Sequence, residues 1–228
     1  MLKNAPGVLE GIPFVLLFFF FCLLTLFFSF VFQSGAFSFL SIIFFIFLLF
    51  TLYFFRDPER TCELSAGDNF TRHIVSPADG TVLDVIEIYE PKFLTDTATR
   101  ISIFMSVFSV HVNRSPVEGK IGYIHYHPGK FISAFKEKAS LDNEQISIGV
   151  LQTHEDGGEK RLLFTLIAGL IARRIILWKK NADSLRSGER IGMIRFGSRV
   201  DLYLPGGSRV IVKKGEKVFA GKTVVGYW

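Results

Sequence analysis

The residues with the most chemistry latent in them are Gly197 and Ser198. A serine hydroxyl can attack the carbonyl carbon of the peptide bond before it, turning that amide into an ester by an N-to-O acyl shift. A glycine in front leaves no side chain in the path and tolerates unusual backbone dihedrals. If a base then takes the Cα proton of Ser198, the ester leaves. The resulting dehydroalanine hydrolyses to a pyruvoyl group that blocks the new N-terminus. By itself the dipeptide reads as a β-turn, so its surroundings must decide. A base and an orienting carboxylate are available in His111, inside Val110-His111-Val112, and Asp79, inside Ser76-Pro-Ala-Asp79-Gly80. Each also has a plain reading. A lone histidine in a strand is often structural, and Pro-Ala-Asp-Gly is good turn chemistry.

The wider pattern points one way. Phe54-Phe-Arg-Asp-Pro-Glu-Arg60 is followed by Ser76-Pro-Ala-Asp79-Gly80 and then by Phe104-Met-Ser-Val-Phe-Ser-Val-His111-Val-Asn113-Arg114-Ser-Pro116-Val-Glu-Gly119. Tyr126-His-Pro128-Gly129-Lys130-Phe131, Lys138-Ala-Ser140, Asn143-Glu144 and Gly192-Met-Ile-Arg-Phe-Gly197-Ser198-Arg199-Val-Asp201-Leu-Tyr-Leu-Pro205 come next, in that order. This series, from about Phe54 to Pro205, closely resembles the short-form phosphatidylserine decarboxylases. The resemblance implies a self-cleaving proenzyme with a long β chain, 1–197, and a short α chain, 198–228. Its cofactor would be a covalent pyruvoyl group derived from Ser198, its substrate phosphatidylserine, and its products phosphatidylethanolamine and carbon dioxide. The ketone would take the substrate amine as a Schiff base and act as the electron sink that pyridoxal phosphate supplies elsewhere.

With the resemblance, His111 becomes the expected base in self-cleavage and the proton donor after decarboxylation. Asp79 becomes its expected orienter, by the logic of a Ser-His-Asp triad. Three positions depart from the family's commoner pattern. Arg114 stands where long-form members have a second histidine, Ser109 where many have Asp or Asn, and Gln145 where Arg is common. Arg114 and Lys130 are candidates for binding the lipid phosphate, the one as a fork and the other as a point charge; ordinary surface charge is the competing reading. His125 and His127 would share one strand face. No nearby Cys or third His completes a metal site with them, and no metal is expected.

These residues must be held by something, and the chain divides into two materials. Phenylalanine is heavily used, 26 residues, and most of it lies in the first quarter of the 228-residue chain. Ile12–Phe32 and Ala36–Phe55 are apolar and uncharged, each roughly the 20 residues that span a hydrocarbon core as a helix. Gln33-Ser34-Gly35 between them supplies turn chemistry. Residues 1–56 therefore read as a two-helix transmembrane hairpin. Lys3 precedes it, Arg56 and Arg60 follow it, and the loop carries no Lys or Arg. The positive-inside rule then puts both ends, and the catalytic domain of residues 57–228, on the cytoplasmic side of the cell membrane. The formal charge of +5 suits an anionic lipid surface. No groove-reading motif or basic run with interleaved aromatics suggests nucleic acid. Cys22 and Cys62 do not form a disulfide framework.

Past the hairpin, short Val/Ile/Phe-rich runs alternate with Gly, Pro and Asp. They predict strands over 73–75, 81–88, 100–108, 120–125, 147–153, 161–168 and 191–196, with a helix over 131–139 and an ambiguous stretch at 173–179. The tail from Val210 to Gly226 has the tight-turned texture of barrel-sandwich carrier domains, although Lys213-Lys214 is a poor match to a modifiable lysine. The expected class is mostly β (α+β), a barrel-sandwich-like domain behind a helical hairpin. The two pieces of a cut chain should stay together by sharing a sheet, and homo-oligomers are compatible with the sequence. Two other functions remain open at this level. One is the same chemistry on an archaetidylserine-type lipid; the other is a non-enzymatic membrane-anchored adaptor. A reporter fused to the C-terminus is expected to read as cytoplasmic, and an external reading would overturn the topology.

Overall fold

The computed structural model describes residues 5–61, 73–130, 132–135, 139–153, 158–170, 174–195 and 197–228. Cys62, Phe131 and Lys138 lie outside them. The chain divides between Pro58 and Glu59 into a helical unit and a strand-rich unit.

The helical unit is a hairpin of α1 (Pro6–Phe32) and α2 (Gly35–Phe54). Pro6 opens α1 in the first turn, where a missing N–H costs nothing. The reversal needs only Gln33, in the left-handed region at φ 47°, and extended Ser34. Stacked rings join the helices: Phe18 on Phe47 at 5.5 Å, Phe21 on Phe44 at 5.2 Å and Phe14 on Phe55 at 5.6 Å. The few polar side chains are bonded within the hairpin, as when the Ser41 hydroxyl donates to the Cys22 carbonyl at 3.2 Å. Such bonding is what an apolar surrounding demands. Both helices are long and apolar enough to cross a membrane.

The second unit is built from β1 (His73–Val75), β2 (Gly80–Glu90), β3 (Asp96–Met105), β4 (Val112–Arg114), β5 (Gly119–His127), α3 (Ala139–Asp142), β6 (Gln145–Thr153) and β7 (Glu159–Ile167). It continues with β8 (Ile175–Leu177), β9 (Ser184–Leu185), β10 (Arg190–Ile194), β11 (Ser198–Pro205), β12 (Arg209–Val210), β13 (Lys217–Val218) and β14 (Val224–Tyr227). The main sheet runs β13-β2-β3-β11-β7-β6-β5-β9; two small sheets run β4-β10-β8 and β1-β14-β12. All the strand pairs are antiparallel. The class is therefore mostly β behind a helical hairpin, as the composition predicts.

Strand alternation builds the core. On β11, Val200, Leu202 and Leu204 join Ile101 and Ile103 of β3, Phe164 and Leu166 of β7 and Ile148 of β6 in one buried cluster. Arg199, Asp201 and Tyr203 take the other face, as the two-residue period requires.

The structure corrects several expectations. The segment 131–139 is not a helix over its described part: Ala134 and Phe135 form a turn, and α3 begins only at Ala139. Its Lys, Glu and Ala suit a helix, but Asn143 holds Ile132 through both backbone groups, which fixes a loop instead. The strand expected over 100–108 stops at Met105 because Ser106–Ser109 closes a turn, Ser109 N–H donating to the Ser106 carbonyl at 2.9 Å. The ambiguous stretch contains a strand, β8. The central strand β11 has no range among the expected strands, although the 198–228 piece was expected to share a sheet with the rest, as β11 does.

The β2–β3 turn is tied by one side chain. The buried Glu90 carboxylate accepts from the N–H groups of Lys92 (2.9 Å), Phe93 (2.8 Å) and Leu94 (2.7 Å). Glu90→Ala would orphan all three donors. We expect a loss of about 2–3 kcal/mol, read as a lower thermal midpoint of the full chain in detergent.

Candidate active site

Two segments cross between the main sheet and the β4-β10-β8 sheet at the same place. β3 ends at Met105, and the chain turns through Ser106–Val110 into β4. β10 ends at Ile194, and β11 begins at Ser198. The crossings are matched at both ends: Met193 pairs with Val112, and Ser198 with Met105. The Ile194 N–H also reaches the His111 carbonyl at 3.4 Å. His111 lies in one crossing and Gly197-Ser198 at the end of the other. The topology thus brings together two of the residues that the sequence singles out.

Gly197 has φ 56°, in the left-handed region where a side chain is disfavoured. Ser198 is fully buried on the core face. Its hydroxyl donates to the Met105 thioether sulfur at 3.3 Å, and the buried Asn113 amide donates to the same sulfur at 3.6 Å. Thioether sulfur is a weak acceptor, so the Ser198 oxygen is held loosely. His111 is also fully buried, and its Nδ1 lies 3.0 Å from the Ser109 carbonyl. A carbonyl only accepts. Nδ1 therefore carries the proton, and in the neutral ring Nε2 is the basic nitrogen.

Asp79 is placed differently from the triad expectation. Its carboxylate is gripped by both terminal nitrogens of Arg60, Nη2 at 2.7 Å, and accepts from the Ala220 N–H at 2.8 Å. Arg60 Nη1 also donates to the Ala220 carbonyl at 3.1 Å. The described partners of Asp79 are thus Arg60 and Ala220, while the described partner of the His111 Nδ1 is a backbone carbonyl. The forked guanidinium supplies two charge-assisted bonds, and these aim Asp79 at the C-terminal turn. Arg60 was legible as a motif residue, but nothing local in sequence paired it with Asp79.

Arg114 is buried, and its Nη1 donates to the Gly188 carbonyl at 2.9 Å. Lys130 is exposed, while its backbone bridges to Asn143. His125 and His127 lie on β5, where the His125 ring stacks on Tyr123. Nearby, an ion pair with Arg190, and more weakly the charge of Arg114, hold the Glu59 carboxyl below its usual range.

Next to Ser198 is a charged cluster that sequence reasoning missed. Arg199 is 1% exposed. Its Nε donates to Asp201 at 2.6 Å and its Nη2 to the Ser102 hydroxyl at 2.6 Å. The other Asp201 oxygen accepts from Ser140 at 2.7 Å. Burial, and then the Asp201 charge, push the Tyr203 phenol well above its ordinary value. Arg199→Met would strand the buried Asp201 charge, at a cost of about 3–5 kcal/mol. We expect a lower melting temperature in a Ser198→Ala background, partly recovered by adding Asp201→Leu.

Comparison with known proteins places the chain in a family. A family model described as phosphatidylserine decarboxylase matches residues 47–226. The phosphatidylserine decarboxylase proenzyme of Desulfotalea psychrophila is 44% identical over 226 residues, covering 98% of this chain and 97% of that protein. That of Syntrophotalea carbinolica is 43% identical over 225 residues, covering 99% and 98%. The Symbiobacterium thermophilum proenzyme is 46% identical over 178 residues, covering 78% and 79%. A match over nearly the whole strand-rich unit, with whole-length relatives at this identity, shows that the chain belongs to the phosphatidylserine decarboxylase family.

Proposed function

We propose that this chain is a proenzyme that cuts itself between Gly197 and Ser198, converts Ser198 into a pyruvoyl group, and then decarboxylates phosphatidylserine to phosphatidylethanolamine. The observation that carries the reading is the shared crossing. It sets a buried serine, preceded by a left-handed glycine, beside the segment that holds a buried histidine with its Nδ1 proton engaged.

The self-cleavage balances as follows. Ser198 Oγ adds to the Gly197 carbonyl carbon, the C–N bond breaks, and the hydroxyl proton ends on the Ser198 nitrogen. His111 Nε2 then removes the Ser198 Cα proton. A Cα–Cβ double bond forms as the Cβ–Oγ bond breaks, releasing 1–197 as a carboxylate. Water replaces nitrogen at Cα, and ammonia leaves. The ketone so formed supplies the electron sink for decarboxylation once the substrate amine has condensed with it. The surroundings of Ser198 suit a neutral electrophile, being buried and lined by a thioether. His111 then returns a proton to the carbon that has lost carbon dioxide.

Asp79 contributes by holding the C-terminal turn with Arg60, which seats the 198–228 segment for the cut and keeps the short piece in place after it. Exposed Lys130 offers a point charge to the lipid phosphate, while Arg114 acts mainly as a brace under the Gly188 turn. The helical hairpin anchors the enzyme in the cytoplasmic membrane with the catalytic unit on the cytoplasmic side, the arrangement that the positive-inside rule favours.

Intact mass of the purified protein tests the reading. We expect two pieces split at Gly197/Ser198, the smaller blocked by a pyruvoyl group, with carbon dioxide released from phosphatidylserine. Ser198→Ala, His111→Ala and Asp79→Ala should each stay uncut. A single intact chain in membranes that retain the activity would sink the pyruvoyl mechanism, and prompt, complete cutting of His111→Ala would remove its role.

A further inference from the structure

The carbonyl that Ser198 must attack does not sit in open space. Just beyond β7, an ideal Cβ built on Gly169 would lie 1.9 Å from the Gly197 carbonyl oxygen and 3.0 Å from its carbon. Real Cβ atoms do not approach other atoms so closely. The scissile carbonyl therefore occupies the volume that any side chain at 169 would need.

Gly169 has little freedom to retreat, because the preceding residue is clamped on both sides. The Ala168 N–H donates to the Glu144 carbonyl at 2.9 Å, and the Ala168 carbonyl accepts from Asn143 Nδ2 at 2.6 Å. Asn143 is itself fully buried and bonded to Ile132 through the backbone N–H at 3.0 Å and carbonyl at 2.8 Å. On the other side of the contact, nothing lies within 4 Å of where a Gly197 Cβ would stand. The two glycines are thus required for different reasons. Gly197 needs its left-handed backbone, whereas Gly169 needs to be small.

We propose that Gly169 is a positioning residue for self-cleavage: held by Asn143 and Glu144 through Ala168, it leaves the space in which the Gly197 carbonyl oxygen is presented to Ser198. The inference rests on the proposed cut at Gly197/Ser198. A methyl group at 169 would push on the Gly197 carbonyl, because Gly169 follows a residue clamped on both sides whereas Gly197 has open space on its Cα side. Misplacing a reacting atom by about 1 Å can cost about 100-fold in rate.

The test is the self-cleavage rate of full-length Gly169→Ala in membranes, followed by intact mass and by hydroxylamine, which releases any ester already formed. Parent and Ser198→Ala are run beside it. We expect cutting slowed by about 100-fold, no hydroxylamine-releasable fragment, and a melting temperature close to that of uncut Ser198→Ala. Adding Ala134→Gly separates the carbonyl contact from general crowding, because the Ala134 Cβ is the other neighbour of the 169 position, at 3.2 Å. That double variant should stay as slow as Gly169→Ala. Cutting of Gly169→Ala at the parent rate would overturn the proposal, as would restored cutting in the double variant. So would a melting temperature lower by about 10 °C, which would make Gly169 a packing residue only. A parent chain that is never cut at Gly197/Ser198 would instead overturn the proposed function on which the inference stands.

Discussion

Strand β11 is hydrogen-bonded along both edges, to β3 from Ser198 to Pro205 and to β7 from Arg199 to Tyr203. An interior strand cannot shift by one residue without turning its apolar side chains to the wrong face. Its register is therefore strongly specified, and so is the height at which its first residue emerges. Ser198, the serine proposed to react, is that first residue. Breaking the bond before it removes no rung of the ladder, since Gly197 lies outside the strand. The rest of the unit serves this placement: β10 delivers the chain to the crossing, and β3 supplies the neighbouring sulfur.

The two faces of β11 do different work. Val200, Leu202 and Leu204 bury apolar area in the main cluster, which is the dominant stabilising term in a domain of this size. Arg199 and Asp201 bury charge on the opposite face, where the pair is costly to desolvate and still costlier to leave half-made. What such a pair contributes is direction. It bonds to Ser102 on β3 and, through Ser140, to α3. The residue next to Ser198 is thereby fixed by its side chain as well as by its backbone.

Much of the architecture was legible because it rests on local periodicity. The hairpin followed from two uncharged apolar runs, and most of the long strands from alternation bounded by turn residues. β11 carries the same alternation, Val200, Leu202, Leu204 against Arg199, Asp201, Tyr203, but its charged residues and Pro205 drew attention to chemistry instead. The helix expected over 131–139 failed because propensity there yields to Asn143, which takes both backbone groups of Ile132. Within the site, the motifs named Ser198, His111 and Asp79. They could not reveal that Asp79 would meet Arg60 and Ala220, or that Asn143 and Gly169 stand behind the Gly197 carbonyl. Those relations join residues tens of positions apart and exist only after the sheets have formed.

The setting of Gly197 and Ser198 is asymmetric. Ser198 begins a strand paired on both sides and is followed by an anchored arginine, whereas the Gly197 Cα faces open space in a conformation that few residues adopt. Were the bond between them cut, the end at Ser198 would stay held in the sheet, while the end at Gly197 would have open space on its Cα side. Self-cleavage would then resemble drawing a bolt. On the proposed reading, the end that takes the new carboxylate is the one with space beside its Cα, so the cut itself would loosen the chain next to the residue that becomes the ketone.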